Sequence, residues 1–134
     1  MFEINKVYKR SDLHNKYGGN RQGGISSCAK HPMIFIFTGK TGEQYGYKDE
    51  WDEENIFHYT GEGQLGDMSF IRGNKALRDH IRNGKSIFLF EFDSNSNWKY
   101  ASELELFDYE FFRTQDKNGH LRKGIRFRFK SKTK

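Results

Sequence analysis

Two stretches of the chain are apolar almost without interruption. Met33-Ile-Phe-Ile-Phe-Thr38 runs between Pro32 and Gly39, and Ser86-Ile-Phe-Leu-Phe-Glu-Phe92 follows Gly84. Short runs of this kind, bounded by turn residues, mark buried strands, and the first of them is expected to be central. Elsewhere the period is two. Ile125, Phe127 and Phe129 alternate with Arg126, Arg128 and Lys130, giving one apolar face and one row of cations. Glu3–Arg10, Gln44–Tyr47, Ile56–Tyr59, Trp98–Ala101 and Leu104–Thr114 read as further strands, the last pairing with His120–Lys130 across Asp116-Lys-Asn-Gly119. Asn-Gly at that point is a strong hairpin signal. Only Asn74–Asn83 has a helical period, with Leu77, His80 and Ile81 on one face, Arg78 and Arg82 opposite, and Gly84 to stop it. His14–Gly24, with two Gly-Gly pairs, reads as a loop, and the terminal Ser-Lys-Thr-Lys as a frayed tail.

These elements predict an α+β domain that is mostly β: a strongly curved, mostly antiparallel sheet or partial barrel of about seven strands, with one main helix packed on it. The length of 134 residues suits a single domain over 1–134. Apolar residues make up only 34%, but 16% of the chain is aromatic, so a core rich in Phe, Tyr and Trp is expected. No run is long enough to span a bilayer and the first residues lack the pattern of a secretion signal, so a cytoplasmic protein with no membrane partner is expected. A single cysteine, Cys28, allows neither an internal disulfide nor a cysteine zinc site. No metal and no cofactor is expected.

Charge adds a finer division. Residues 1–42 carry +5, residues 43–67 carry −7 and residues 68–134 carry +7. A basic body suits a polyanion, because each neutralised phosphate releases condensed counterions. An acidic island inside it repels phosphates unless it faces another group, such as a base amine. A solvated acidic loop on a basic protein is the plainer alternative.

The acidic island lies between two tyrosines twelve positions apart, Tyr47 and Tyr59, in Tyr-Lys-Asp-Glu-Trp-Asp-Glu-Glu-Asn-Ile-Phe-His-Tyr-Thr-Gly-Glu-Gly. Two rings can sandwich a planar base, and a carboxylate between them can accept from an exocyclic amine. Stacking on an aromatic contributes about 1 to 3 kcal/mol per base, comparable to the cost of extrusion, so two rings are needed more than one. The alternative is that both are ordinary strand residues.

The order Arg10…His14…Gly-Gly-Ile25, then Thr38-Gly39, then Tyr47…Asp52…Tyr59-Thr-Gly-x-Gly63 resembles the SRA domain, a reader of 5-methylcytosine. With Tyr-Thr-Gly-Glu-Gly-Gln-x-Gly-Asp-Met and a following Gly-Asn-Lys-Ala-Leu, the chain looks closest to the SRA-like domains that accompany HNH nuclease domains in bacterial modification-dependent restriction enzymes. The resemblance is strongest over residues 5–92 and implies an SRA/PUA-like curved sheet. It also implies that Tyr47 and Tyr59 stack the flipped cytosine, and that Thr60 and Gly61 contact the base edge through the main chain. A carboxylate three residues after the first tyrosine is expected, which by count is Glu50. The family has aspartate there, and Asp49 is one residue earlier, so both remain candidates. Of the family's two duplex-inserting loops, the first maps to Gln22 with Arg21; the second is missing or very short.

Phosphate contacts are expected from Arg72 and Lys75, and from Arg122, Arg126 and Arg128 on the basic hairpin, although a solvated sheet face accounts for the hairpin cations equally well. His58 is expected to point away from Tyr59 by alternation, and His14, His80 and His120 read as structural. Catalysis finds no support in the sequence. No lysine has a carboxylate two residues before it, the histidine-rich metal hairpin of an HNH nuclease is absent, and zinc deaminase spacing lacks its cysteines. The chain therefore reads as a non-catalytic module that flips and recognises a modified cytosine, 5-methylcytosine or 5-hydroxymethylcytosine, in double-stranded DNA. The expected partners are that DNA and a fused or associated HNH nuclease domain. The alternatives are a catalytic domain, either a metal-dependent nuclease or a base-excising enzyme, and a PUA-like RNA-binding module.

Overall fold

The computed structural model describes residues 1–39 and 49–132. Within them the elements run β1 (Val7–Lys9), α1 (Arg10–Tyr17), β2 (Ile25–Ser27), β3 (Met33–Thr38), β4 (Glu50–Trp51), β5 (Ile56–Thr60), α2 (Arg72–Arg78), β6 (Ser86–Ser94), β7 (Asn97–Gln115) and β8 (Leu121–Ser131). Seven of the eight described strands form one path, β2-β3-β6-β7-β8-β5-β4, and β1 pairs with β7 at its side. The expected strand at Gln44–Tyr47 lies outside the described residues.

The two apolar runs are the two central strands. β3 and β6 pair in parallel, in register from Met33 with Ser86 to Thr38 with Glu91, the one parallel pair among the described strands of an otherwise antiparallel sheet, in keeping with the mostly antiparallel sheet expected. Both faces of this pair are covered, so its side chains supply two cores. Ile34, Ile36, Ile87 and Leu89 point to one side, and Met33, Phe35, Phe37, Phe88 and Phe90 to the other. Burial on both faces is why these strands show no polar alternation. The second core is closed by Leu13 of α1 with Phe2, Tyr8 and Tyr17.

The first core reveals the curvature. It joins the β3 and β6 residues to Phe57 and Tyr59 of β5 and to Ile125, Phe127 and Phe129 of β8, which lie at the other end of the strand path. Only a sheet curled over on itself brings those side chains together. Each fully buried aromatic or aliphatic side chain contributes about 1.5 to 3 kcal/mol, so a shared core of this size fixes the curl.

Four expectations change in detail. The strand Glu3–Arg10 contracts to Val7–Lys9, and the start of the expected loop is helix α1. That helix has no continuous apolar stripe: Leu13 and His14 are its buried residues, Tyr17 packs half-buried against the second core, and the helix is favoured by Asp12 in its first turn and Lys16 in its last. α2 is short. After Arg78 the chain leaves the helical path in turns closed by Asn83 N to Asp79 O and Lys85 N to His80 O, so His80 is buried while Ile81 is exposed. His80 accepts from Leu106 N (3.0 Å) through Nε2 and donates from Nδ1 to Lys85 O (2.8 Å), the arrangement of a neutral structural histidine. Finally, Trp98–Ala101 and Leu104–Thr114 belong to one strand of 19 residues. Register shifts beside Leu89/Phe90 and Leu106/Asp108 leave Ala101 and Phe107 without ladder partners. Each bulge flips the alternation, so Tyr100 and Leu104 reach opposite cores and the sequence reads as two strands.

Candidate nucleic-acid interface

Where the two ends of the curled sheet approach, one carboxylate spans the gap. Asp49 Oδ2 accepts from the Thr38 hydroxyl at the end of β3 (2.9 Å), and its Oδ1 accepts from the Thr60 amide at the end of β5 (3.1 Å). Burial raises the Asp49 pKa above the usual carboxylate range, and the two hydrogen bonds and the charge of Arg126 offset this only in part. Glu50, by contrast, is exposed in β4 opposite His58. Of the two carboxylates left open by the sequence, Asp49 is therefore the one set beside Tyr59 and Thr60.

Tyr59 shares the inward face of β5 with Phe57, their rings stacked at 6.3 Å, and is only 6% exposed. Its hydroxyl reaches Gly24, where an added Cβ would come within 2.5 Å of it. Glycine is required there because the loop backbone lies against the tyrosine tip. Tyr47, the proposed second ring, lies outside the described residues. His58 faces away, as alternation requires, and pairs with Asp52 at 2.8 Å. Asp52 also accepts from the Glu54 and Ile56 amides, and these bonds, with that of His58 foremost, lower its pKa. Asp52 of the acidic island is thus held in local turn chemistry. Among the described residues no group of three acids, histidines or cysteines is placed to hold a metal.

Beyond Tyr59 the chain is locked to α2. Asn74, 1% exposed, accepts from the Glu62 amide (2.8 Å) and donates to Glu62 O (2.9 Å) and Ser69 O (3.0 Å). Glu62 Oε1 in turn accepts from the Gly73 amide (2.9 Å). A Cβ on Gly61 would meet Asn74 Oδ1 at 2.8 Å, so Thr-Gly-Glu and Gly-Asn fit as one interlocked unit. Sequence reasoning quoted both motifs and missed that they read each other. The amides of Thr60 and Gly61 are occupied, by Asp49 and by Ile125 O, while the Thr60 hydroxyl is buried without a partner among the described residues.

The expected phosphate ligands divide into two groups. Arg72 and Lys75, at the start of α2, are exposed, and so are Arg21 and Gln22 in the loop that ends at Gly24. Contact of that loop with Tyr59, and of Gly73 with Ile25, sets all four around one edge of the domain. The hairpin arginines are committed elsewhere. Arg122 is 6% exposed and donates from one nitrogen to Gly63 O (2.9 Å) and Gly66 O (2.8 Å). Arg128 is paired with Asp108 and Glu110, and Arg126 lies over the Phe112 ring near Glu110. The row of cations seen in the sequence is offset by acids on the neighbouring strand. The missing second loop is a tight segment laced to β8, with Asp116 accepting from the Gly66 amide and Lys123 donating to Asp67.

Comparison with known proteins agrees with this architecture. Among solved structures, the sulfur-binding and SRA domains of ScoMcrA complexed with phosphorothioated DNA superpose with a TM-score of 0.76 at 16% identity, covering 98% of this chain and 40% of that one. The DNA modification-dependent restriction endonuclease AspBHI gives 0.72 at 15% identity, with 98% and 42% covered. The SUVH5 SRA domain bound to hemimethylated CG DNA gives 0.68 at 19% identity, with 99% and 90% covered. The chain spans well under half the length of the ScoMcrA and AspBHI chains. No curated protein sequence matches it. The family model described as "ScoMcrA-like, SRA domain" matches residues 5–132, and the chain belongs to that SRA-domain family.

Proposed function

We propose that this domain binds duplex DNA containing a modified cytosine, 5-methylcytosine or 5-hydroxymethylcytosine, and reads that base after turning it out of the helix. The reading rests above all on Asp49: a largely desolvated carboxylate, beside Tyr59 and within 3.1 Å of the Thr60 amide, is suited to accept from a cytosine amine. Extrusion costs a few kcal/mol, and stacking on Tyr59 and Tyr47 with a charge-assisted hydrogen bond offsets it. The buried Thr60 hydroxyl is a further partner for the base edge, next to Gly61. Because Tyr59 is 6% exposed, its cover must open as the base enters. Gln22 and Arg21 fill the vacancy in the duplex, and Arg72 and Lys75 take phosphates. Membership of a family with ScoMcrA-like SRA domains supports a place as the targeting part of a modification-dependent restriction endonuclease, with cleavage by a fused or associated HNH domain.

The test is binding of Tyr59→Ala and Asp49→Asn to matched duplexes that differ in one cytosine substituent. Both variants should lose the preference for the modified duplex, by tenfold or more, while keeping their salt-dependent affinity for any duplex. Retained preference in folded variants would remove the pocket. Incubation with modified DNA and magnesium or manganese should leave strands and bases intact; cleavage or base release would make the domain catalytic.

A further inference from the structure

Arg10 is the unusual cation of this fold. It is half-buried, and burial lowers its pKa, yet no carboxylate pairs with it among the described residues. Its guanidinium lies 3.8 Å over the Phe37 ring and uses its donors on neutral groups: Nε on His14 Nε2 (2.9 Å) and Nη2 on the Asn20 carbonyl (3.1 Å). His14 accepts from Arg10, so its proton is on Nδ1, which donates to Gly18 O at 2.8 Å. Two carbonyls of the loop after α1 are therefore gripped from the helix. The loop's far end is fixed separately, by Phe37 N donating to Gly24 O (2.7 Å) and by the close approach of Gly24 to the Tyr59 hydroxyl. Between these anchors Arg21, Gln22 and Gly23 are exposed, with Arg21 donating back to Asn15 Oδ1 of α1 (2.7 Å).

We infer that Arg10 and His14 are positioning residues, a latch that sets the path of the loop so that Arg21 and Gln22 enter the duplex as the base leaves. This rests on the base-extrusion reading above. A side chain that replaces a base must arrive in register with the base pair, and a loop free to sample many paths loses affinity through ordering on binding. The latch removes that cost without touching DNA. It also explains an otherwise unfavourable burial, since a desolvated guanidinium held by neutral acceptors gives direction in place of ion-pair energy.

The experiment compares wild type with Arg10→Gln, Arg10→Lys and His14→Leu on two duplexes. One has a 5-methylcytosine paired with guanine; the other has the same 5-methylcytosine opposite an abasic position, where no base needs replacing. All three variants should bind the paired duplex about tenfold more weakly and the abasic duplex within twofold of wild type, with unchanged salt dependence. Arg10→Lys is decisive, because lysine preserves the charge but cannot hold two acceptors in fork geometry. Amide exchange over residues 19–23 should also quicken at least tenfold, a readout that needs no DNA. Equal losses on both duplexes, or rescue by lysine, would make Arg10 a phosphate contact or a general fold residue and overturn the latch. Wild type that does not distinguish methylated from unmethylated duplex would instead defeat base reading itself, and the latch with it.

Discussion

Asp49 lies where the two ends of the sheet approach, and its ionised form is disfavoured there because burial outweighs the donors around it. A carboxyl whose folded pKa is raised weakens the fold at neutral pH, and the penalty is relieved as pH falls through the raised value towards about 3.8. Asp49→Asn removes this term while leaving an oxygen for the Thr60 amide, so the variant should melt no lower than wild type at pH 7 and should lose the gain on acidification. Thermal melts from pH 7 to pH 4 check this. A variant that is more stable yet no longer selects modified DNA would mark Asp49 as kept for binding. His14 has the opposite sign: burial lowers its pKa, so stability falls as pH drops below about 6.5 and levels off once the folded group has also protonated. Asn74 acts through structure alone. Asn74→Ala leaves the Glu62 amide and carbonyl without their partners and the Ser69 carbonyl with the Ile71 amide alone, and should cost about 2 to 4 kcal/mol by denaturant unfolding.

At the scale of elements, legibility followed periodicity. β3, β5, β6 and β8 were readable because their apolar patterns are unbroken, and the β7–β8 hairpin because Asn118-Gly119 marks its turn. α1 was not, because Leu13 and His14 are its only fully buried residues and Arg10 and His14 reach backbone carbonyls of the loop, partners that leave no pattern in the sequence. The long β7 was split because its bulges reverse the alternation. Tyr59, Thr60 and Asp49 were legible as a neighbourhood from motif spacing; that Asp49, and not Glu50, lies between Thr38 and Thr60 depends on the curl of the sheet. Arg122 shows the opposite failure, since sequence gives a basic strand and cannot give the two carbonyls that consume the charge. Arg122→Met should loosen residues 63–68, seen as faster amide exchange, and cost about 1 to 3 kcal/mol, while the salt dependence of DNA binding stays unchanged.

For the whole molecule, a net charge of +5 does not say which cations face a partner. Arg126 and Arg128 are set against Asp108 and Glu110, so the proposed phosphate contacts are the exposed Arg21, Arg72 and Lys75. Arg72→Ala and Lys75→Ala should each lower the slope of log K against log salt by about 1, without changing the ratio between modified and unmodified duplexes. In the proposed function, phosphates supply affinity and the seam beside Tyr59 supplies selection. The most direct measurement places a fluorescent base analogue next to a single 5-methylcytosine in a duplex and titrates it with wild type and with Tyr59→Ala. Emission should rise on wild-type binding, as the neighbouring base unstacks, and should stay flat with the variant or with unmethylated DNA. Tight binding of the methylated duplex with no rise in emission would contradict base extrusion as the means of recognition.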